Sequence, residues 1–366
     1  MNERLKSLDA FRGITIAAMI VVNNPGSWAH VFPPLRHAEW HGWTPTDLVF
    51  PFFLFIVGVA ISLALSRRID RGEGLSSLYG KIVRRSLILF ALGILLRLMF
   101  QPDLAHLRIP GVLQRIALCY LISAMVYPRV GPRGRAGTVF SLLLGYYVAM
   151  KLIPVPGYGA GVLEPKGNLC GYIDVKILGG HLYKPHFDPE GILSTLPAVA
   201  TVLLGTLAGD WIRSRRGAVS KATGLLLTGL VLVALGLGLH PVFPINKQLW
   251  TSTFVLFTGG AAAVLLGIFV ILMDGWRIQK GAFPFLVLGA NAIFVYVGST
   301  VLARIFSMIK ILGEQGPVSV KTYVVEHLLI PWAGPQTGSL LFPILLLLFW
   351  IGVMIPLYQR KIFIRI

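Results

Sequence analysis

Apolar runs long enough to cross a bilayer recur along this chain almost to its last residue, and no other feature narrows the fold as far. Ten segments qualify: 10–28, 46–66, 82–100, 111–128, 137–153, 192–210, 221–239, 250–273, 284–308 and 340–358. Of 366 residues, 55% are hydrophobic and only 13% charged, whereas about a quarter are charged in soluble domains. The expected architecture is all-α: a polytopic membrane protein of about ten transmembrane helices in one bundle, with residues 1–366 as a single domain. The first segment does not read as a cleavable signal, because it contains Arg12 and runs into Asn23-Asn24-Pro25-Gly26. Two cysteines, Cys119 in an apolar run and Cys170 in a loop, are too few for a disulfide framework.

A formal charge of +18 would suit a nucleic-acid partner, but its distribution argues against one. Alternate loops separate by charge. One set holds Arg4, Lys6, Arg67, Arg68, Arg71, Lys81, Arg84, Arg85, Arg129, Arg133, Arg135, Arg213, Arg215, Arg216, Lys221, Arg277, Lys280, Arg360, Lys361 and Arg365. The opposite set holds Arg36, Arg108, Lys166, Lys176, Lys184, Lys247, Lys310 and Lys321. The positive-inside rule then places both termini in the cytoplasm of a multi-pass inner (plasma) membrane protein, with a basic face toward membrane lipid. All eight histidines (His30, His37, His41, His106, His181, His186, His240 and His327) fall in the outer loops or at outer helix ends. The chemistry is therefore expected at the outer surface.

Polar side chains inside apolar runs cost at least ~2.5–3.5 kcal/mol if charged, so each needs a partner or a cavity. Asp9 and Arg12 have the spacing of a helical ion pair; Arg12 either anchors the helix or lines a path for an anionic ligand. Asn23-Asn24-Pro25-Gly26 breaks the first helix, which requires partners for the freed backbone groups. The next loop packs Arg36, His37, Glu39, Trp40 and His41 into six residues; Asp47 then opens the second helix after Thr44-Pro45-Thr46, with either Thr44 or Thr46 as its expected cap. A cap does not explain two histidines and a glutamate, so function is expected there. Gln114 and Arg115 open the fourth span, Asn291 sits within the ninth, and Asn246, Lys247, Gln248 and Trp250 precede or open the eighth. Amides of this kind either bridge helices or line a polar cavity. Neither a Walker loop nor a dinucleotide fingerprint is present, and no histidine spacing has the partners of a metal site, so no metal is expected.

Several motifs, in one order, resemble a known family. They are Leu8-Asp9-Ala10-Phe11-Arg12-Gly13-Ile14, Val22-Asn23, Arg36-His37-Ala38-Glu39-Trp40-His41-Gly42 and Asp47-Leu48-Val49-Phe50-Pro51. Arg108-Ile109-Pro110-Gly111-Val112-Leu113-Gln114-Arg115, Gly171-Tyr172-Ile173-Asp174, His181-Leu182-Tyr183, Phe187-Asp188-Pro189-Glu190-Gly191-Ile192-Leu193 and Asn246-Lys247-Gln248-Leu249-Trp250 follow. Together they resemble the heparan-α-glucosaminide N-acetyltransferases, part of a wider group of transmembrane acyltransferases. The resemblance implies a bacterial-type member without the N-terminal luminal domain and span of the mammalian proteins, and so with a different natural acceptor. It implies transfer of acetyl from cytosolic acetyl-CoA to an amino sugar, or another glycan acceptor, on the outer side. A homodimer is compatible with it.

In that reading His37 is the residue of acetyl transfer, as general base or transient carrier, in a ternary or a ping-pong route. Asn23 would hold the thioester oxygen and Asp47 would orient His37. Arg12, Gln114, Arg115 and Asn291 are the expected acetyl-CoA contacts. Glu39, His41, Asp188, Glu190, Asn246, Lys247, Trp250 and His327 are the expected acceptor contacts. A permease for a small anion or sugar, and an O-acyltransferase of a surface glycan, are the alternatives the residues leave open.

Overall fold

In an apolar medium a backbone amide must bond within its own segment, so long runs of Leu, Ile, Val, Phe and Ala are committed to the α-helix. A computed structural model, describing residues 5–313 and 316–364, is accordingly mostly helical. Arg4 and Arg365 of the basic loop set lie outside the described residues. The chain divides into two compact units, one of Met1–His37, Thr44–Phe50 and Phe269–Ile366, the other of Ala38–Trp43 and Pro51–Ile268.

The first unit is built on α1 (Lys6–Asn23) and α10 (Phe283–Ala290). These helices meet at backbone contact through two glycines. A Cβ on Gly13 would lie 1.8 Å from the Phe285 carbonyl oxygen, and one on Gly289 would lie 2.0 Å from that of Asp9. Small residues are what permits such an approach where water supplies no hydrophobic drive. Ala10, Met273 and Leu286 fill the adjoining core, and the Phe11 and Phe269 rings stack at 6.1 Å.

The expected ninth span is not continuous. α10 and α11 (Ala292–Met308) meet at 87° across Asn291. The amide of Asn291 is the reason the bend is stable: Nδ2 donates to the Ile362 carbonyl at 3.1 Å, and Oδ1 accepts from the Ile364 amide at 2.7 Å. Helix α1 likewise ends at Asn23 rather than at 28. Beyond the break, the Gly26 amide donates to the Ser339 carbonyl, and Ser339 Oγ exchanges hydrogen bonds with the Ser27 backbone. Ser339 belongs to α14 (Pro335–Gln359), which follows α12 (Val320–Tyr323) and α13 (Ile330–Ala333). The all-α expectation holds for most of the described residues, with one exception: Lys310–Gly313 (β1) and Gly316–Ser319 (β2) pair antiparallel, and Gly316 takes φ +118.

The second unit contains most of α2 (Val49–Asp70), then α3 (Leu75–Phe100), α4 (Val112–Val126), α5 (Pro132–Leu152), α6 (Leu169–Leu178), α7 (Thr195–Arg213), α8 (Ala218–Gly238) and most of α9 (Ser252–Phe269). A buried polar node ties α2, α5 and α7 to the end of α4. Asp210 accepts from Ser62 Oγ at 2.6 Å, from Tyr127 Oη at 2.7 Å and from the Arg135 guanidinium, while Arg135 also donates to Thr206 Oγ1 at 2.8 Å.

By length and apolarity, five of the described helices could cross a bilayer: Pro45–Asp70, Thr195–Arg213, Ala218–Gly238, Ser252–Gly275 and Pro335–Gln359. The bent pair α10–α11 would be a sixth. The other four expected spans are helices too (α1, α3, α4 and α5), but α4 has only 15 residues and the rest carry charges such as Arg12, Arg97 and Lys151.

Adding a methyl at Gly13 must separate α1 from α10, whereas Gly80, on α3, has nothing within 4 Å of a Cβ. Gly13→Ala should cost about 3 kcal/mol or more in stability, and Gly80→Ala should be neutral or stabilise by up to about 1 kcal/mol. Thermal melting of the detergent-purified variants measures both; equal melting temperatures would contradict the packing.

Candidate functional site

In the first unit two of the three expected catalytic residues, His37 and Asp47, are held by a short, strongly tied loop. Thr44 is the N-cap of a single 3₁₀ turn, Pro45–Leu48, with proline at its first position. Three residues on, Asp47 reaches back so that Oδ2 accepts the Thr44 amide at 3.0 Å, the reciprocal arrangement of a capping box. Thr44 Oγ1 donates to the Arg36 carbonyl at 2.6 Å and Thr46 Oγ1 to the Pro34 carbonyl at 3.2 Å, which fixes residues 34–37 against 44–47. The remaining oxygen, Asp47 Oδ1, lies 2.7 Å from His37 Nδ1. The Asp47 side chain is 1% exposed and that of His37 is 37% exposed.

This geometry sets the imidazole's polarity. A carboxylate accepts, so Nδ1 carries the proton, and the neutral ring keeps its lone pair on Nε2. Buried Asp47 meets the half-exposed ring from the protein side. The arrangement can take a proton from an incoming nucleophile, or carry an acyl group, while Asp47 stabilises the charged ring.

The other expected first-unit residues stand as follows. Asn23 is the last residue of α1 and exposed. Arg12 Nη1 lies 3.4 Å from Asp9 Oδ1 and donates to the Gly289 carbonyl at 3.2 Å, so the helix-anchoring role is the one its contacts describe. Asn291 gives both ends of its amide to the C-terminal tail, as above, rather than to a ligand path. His327 is exposed and stacks on Tyr323, ring centroids 4.7 Å apart.

In the second unit Arg115 is 1% exposed. One nitrogen, Nη2, donates to Ser194 Oγ at 2.5 Å and to the Gly191 carbonyl at 3.1 Å. Its Nε and Nη1 find no hydrogen-bond partner among the described residues. The guanidinium lies over the ring of Trp250, 5.2 Å from its centroid, and Trp250 is a buried residue in the left-handed backbone region at φ +51. A buried cation with two nitrogens unpartnered among the described residues, over the ring of a tryptophan in an uncommon backbone conformation, is costly to hold. Gln114 is buried beside it in sequence, its Oε1 packed against Gly93 and Gly111. Asn246 is buried with its amide between the Leu249 amide and His41; Lys247 is half-buried and Glu39 exposed.

Asp188 and Glu190 are taken up by Arg108, which sequence reading left out of the site. Arg108 Nε and Nη2 hold the two oxygens of Asp188 at 2.7 and 2.5 Å, and Nη2 also pairs with Glu190. Sequence reading also passed over Asp174. Its oxygens accept from the Ile192 amide at 2.8 Å and the Asp188 amide at 3.3 Å. Burial pushes its carboxyl up to about 6 against those two donors. Only the eighty-residue separation of Arg108 from Asp188 hid the pairing; each residue was already marked by its motif. Among the described residues no group of three or more His, Cys, Asp or Glu side chains is disposed to hold a metal.

The described chain thus combines helices long and apolar enough to cross a bilayer with an imidazole held by a buried carboxylate. The family model for the heparan-alpha-glucosaminide N-acetyltransferase catalytic domain matches residues 4–242, and the chain belongs to that family of transferases. The human protein named heparan-alpha-glucosaminide N-acetyltransferase is 31% identical over 362 residues, which cover 83% of this chain and 54% of the human one. Its mouse counterpart is 29% identical over 426 residues, covering 99% of this chain and 60% of the mouse protein. The chain thus spans little more than half the length of these relatives.

Because the folded state raises the Asp174 carboxyl above its usual 3.8, ionising it works against folding. Its favourable contribution is present below pH about 4 and lost as pH rises through about 6. The stability of wild type relative to Asp174→Asn should therefore rise by up to about 3 kcal/mol as pH falls from 7 to 4. Melting curves across that range test this; a difference independent of pH would contradict it.

Proposed function

We propose that this chain is a membrane acetyltransferase that moves the acetyl group of cytosolic acetyl-CoA to the amine of an amino sugar on the outer side of the membrane. The observation that carries the reading is the bond between His37 Nδ1 and buried Asp47, in a chain of this family. In the reaction, the neutral amine attacks the thioester carbonyl, a C–N bond forms, and the C–S bond breaks as the CoA thiolate leaves. His37 Nε2 takes the proton lost by the amine and returns it to the thiolate. Asp47 holds the ring in the tautomer that can do this and stabilises the imidazolium in between. In the carrier variant of the route, Nε2 itself takes the acetyl group before the amine does.

The donor's residues follow from charge. CoA brings phosphates and several carbonyl oxygens. Arg115, with two buried donors unused, supports binding of such a group, and Gln114 lies next to it in sequence. Asn23, exposed at the end of α1, has an amide suited to the thioester oxygen. Glu39, Lys247 and His327, exposed or half-buried, are open to the acceptor. The ten-span topology with both termini in the cytoplasm belongs to the same proposal. Its support is that each of the ten expected apolar segments contains or overlaps a helix, and that the basic residues segregate by alternate loops.

His37→Ala should lower kcat for acetyl transfer from acetyl-CoA to glucosamine by about a thousandfold, within the usual range for loss of a general base. Asp47→Asn should cost about a hundredfold while leaving acetyl-CoA affinity unchanged. Radiolabelled transfer by purified protein in nanodiscs, with calorimetric titration of acetyl-CoA, provides the readouts. Wild-type turnover in His37→Ala would overturn the assignment. Sugar accumulation in sealed vesicles without acetyl-CoA would favour a permease instead, and product acylated at a hydroxyl would make the enzyme an O-acyltransferase.

A further inference from the structure

The loop carrying His41 belongs to the second unit and is fastened there on both sides. Trp40 Nε1 donates to the Leu163 carbonyl at 2.8 Å, and the Trp40 ring meets Phe187 edge-on at 5.1 Å. The Gly42 amide donates to the Ile245 carbonyl at 2.8 Å. Residues 40–42 are thus tied to the segment at 163–164 and to the one at 240–246.

The hydrogen bonds behind His41 fix which of its nitrogens carries the proton. Asn246 is wholly buried, and its Oδ1 accepts the Leu249 amide at 2.8 Å. A backbone N–H can only donate, so that bond settles which way the amide points. Nδ2 is then the atom facing His41 Nδ1 at 3.3 Å, and it too can only donate. His41 Nδ1 must supply the lone pair, which leaves the hydrogen on Nε2. Protonating Nδ1 would set one N–H against another, in a site where burial already holds the imidazole's proton affinity below its usual value against the pull of Glu164. His240 is set the same way, its Nδ1 accepting the Ile245 amide at 3.0 Å. Both rings thus use Nδ1 as the acceptor and turn Nε2–H outward as the donor, the opposite polarity to His37.

The outward side completes the pattern. His41 Nε2 lies 4.0 Å from Glu164 Oε1, with side chains 33% and 69% exposed. That separation is too long for a direct hydrogen bond. It leaves an N–H donor and a carboxylate acceptor presented side by side, with the Trp40 ring 6.2 Å from that of His41. A group that both accepts and donates fills such a pair: a hydroxyl bridges it, and an ammonium adds a charge-assisted bond to the carboxylate. Vicinal hydroxyl and amine groups on one rigid ring are the defining chemistry of an amino sugar.

We propose that His41 Nε2–H and the Glu164 carboxylate, with Asn246 as the residue that positions His41, form a subsite for the hydroxyl and amine groups of an amino-sugar acceptor. The proposal rests on the acetyltransferase reading for the identity of the ligand, and it adds Glu164, which no motif singled out. Loss of either contact should weaken the sugar by about tenfold, the usual worth of a charge-assisted hydrogen bond.

The test uses full-length protein in nanodiscs and glucosamine as the probe, titrated by calorimetry at pH 7.5, with acetyl-CoA titrated in parallel to verify the fold. Glu164→Gln and His41→Phe should each weaken glucosamine about tenfold and leave acetyl-CoA affinity unchanged. N-acetylglucosamine, lacking the ammonium, should lose less from Glu164→Gln. Asn246→Asp should turn the imidazole over, read as exchange of the Nδ1 and Nε2 nitrogen-15 shifts of His41, and should weaken glucosamine with it. Unchanged glucosamine affinity in both Glu164→Gln and His41→Phe overturns the subsite, as does wild-type protein that binds no glucosamine. Transfer with an unaltered glucosamine KM in those variants rejects the subsite and keeps the reaction. Glucosamine binding without any acetyl transfer rejects the reaction and keeps the subsite.

Discussion

A polar atom among apolar helices has to find its partner within the protein, and this constraint places many of the polar residues that the sequence marks for a site. Asp47, 1% exposed, is surrounded by the Thr44 amide, the Thr44 hydroxyl and His37 Nδ1. Asp210 has two hydroxyls and a guanidinium. Asn291 closes a sharp bend by capping the chain's tail from both ends of its amide. Where the requirement is fully met, the residue becomes part of the framework. Arg108 with Asp188 and Glu190 is of that kind.

Among the described residues the requirement is left unmet at Arg115, and also at Ser66, Arg85, Ser86, Ser123 and Trp350. Arg115 keeps two buried donors without a partner over the ring of a tryptophan in a rare backbone conformation. His41 and Glu164 keep a donor and an acceptor just out of reach of each other. His37 stands between these cases: one nitrogen is committed to a buried carboxylate, and the proposed chemistry uses the other.

Much of the helical framework was legible in the sequence, because a bilayer-length apolar run is a local signal and local signals survive folding. All ten such segments contain or overlap a helix, and the Thr44–Asp47 cap was readable from four consecutive residues. The pairing of His37 with Asp47 was also within reach, since ten residues of tight loop separate them. The misses are of a different physical kind. Asn291 looked like a polar residue inside one span because nothing nearby records a tail that returns from residues 362–364. Asp188 and Glu190 looked free because Arg108 is eighty residues away. The β1–β2 pair at 310–319 is four residues per strand, too short for alternation to emerge. Glu164 carried no motif, and its meaning comes only from the loop that brings it beside His41.

The proposed reaction turns on one imidazole. The central claim is that buried Asp47 fixes His37 with its proton on Nδ1 and its lone pair on Nε2, ready to accept a proton or an acyl group. Nitrogen-15 NMR of histidine-labelled protein in nanodiscs, with His37 assigned by substitution, measures this directly. At pH 8 the account predicts a protonated Nδ1 with a strongly deshielded hydrogen-bonded proton and a bare Nε2, and loss of that proton signal in Asp47→Asn. A His37 ring protonated on Nε2, or a spectrum unmoved by Asp47→Asn, would contradict it.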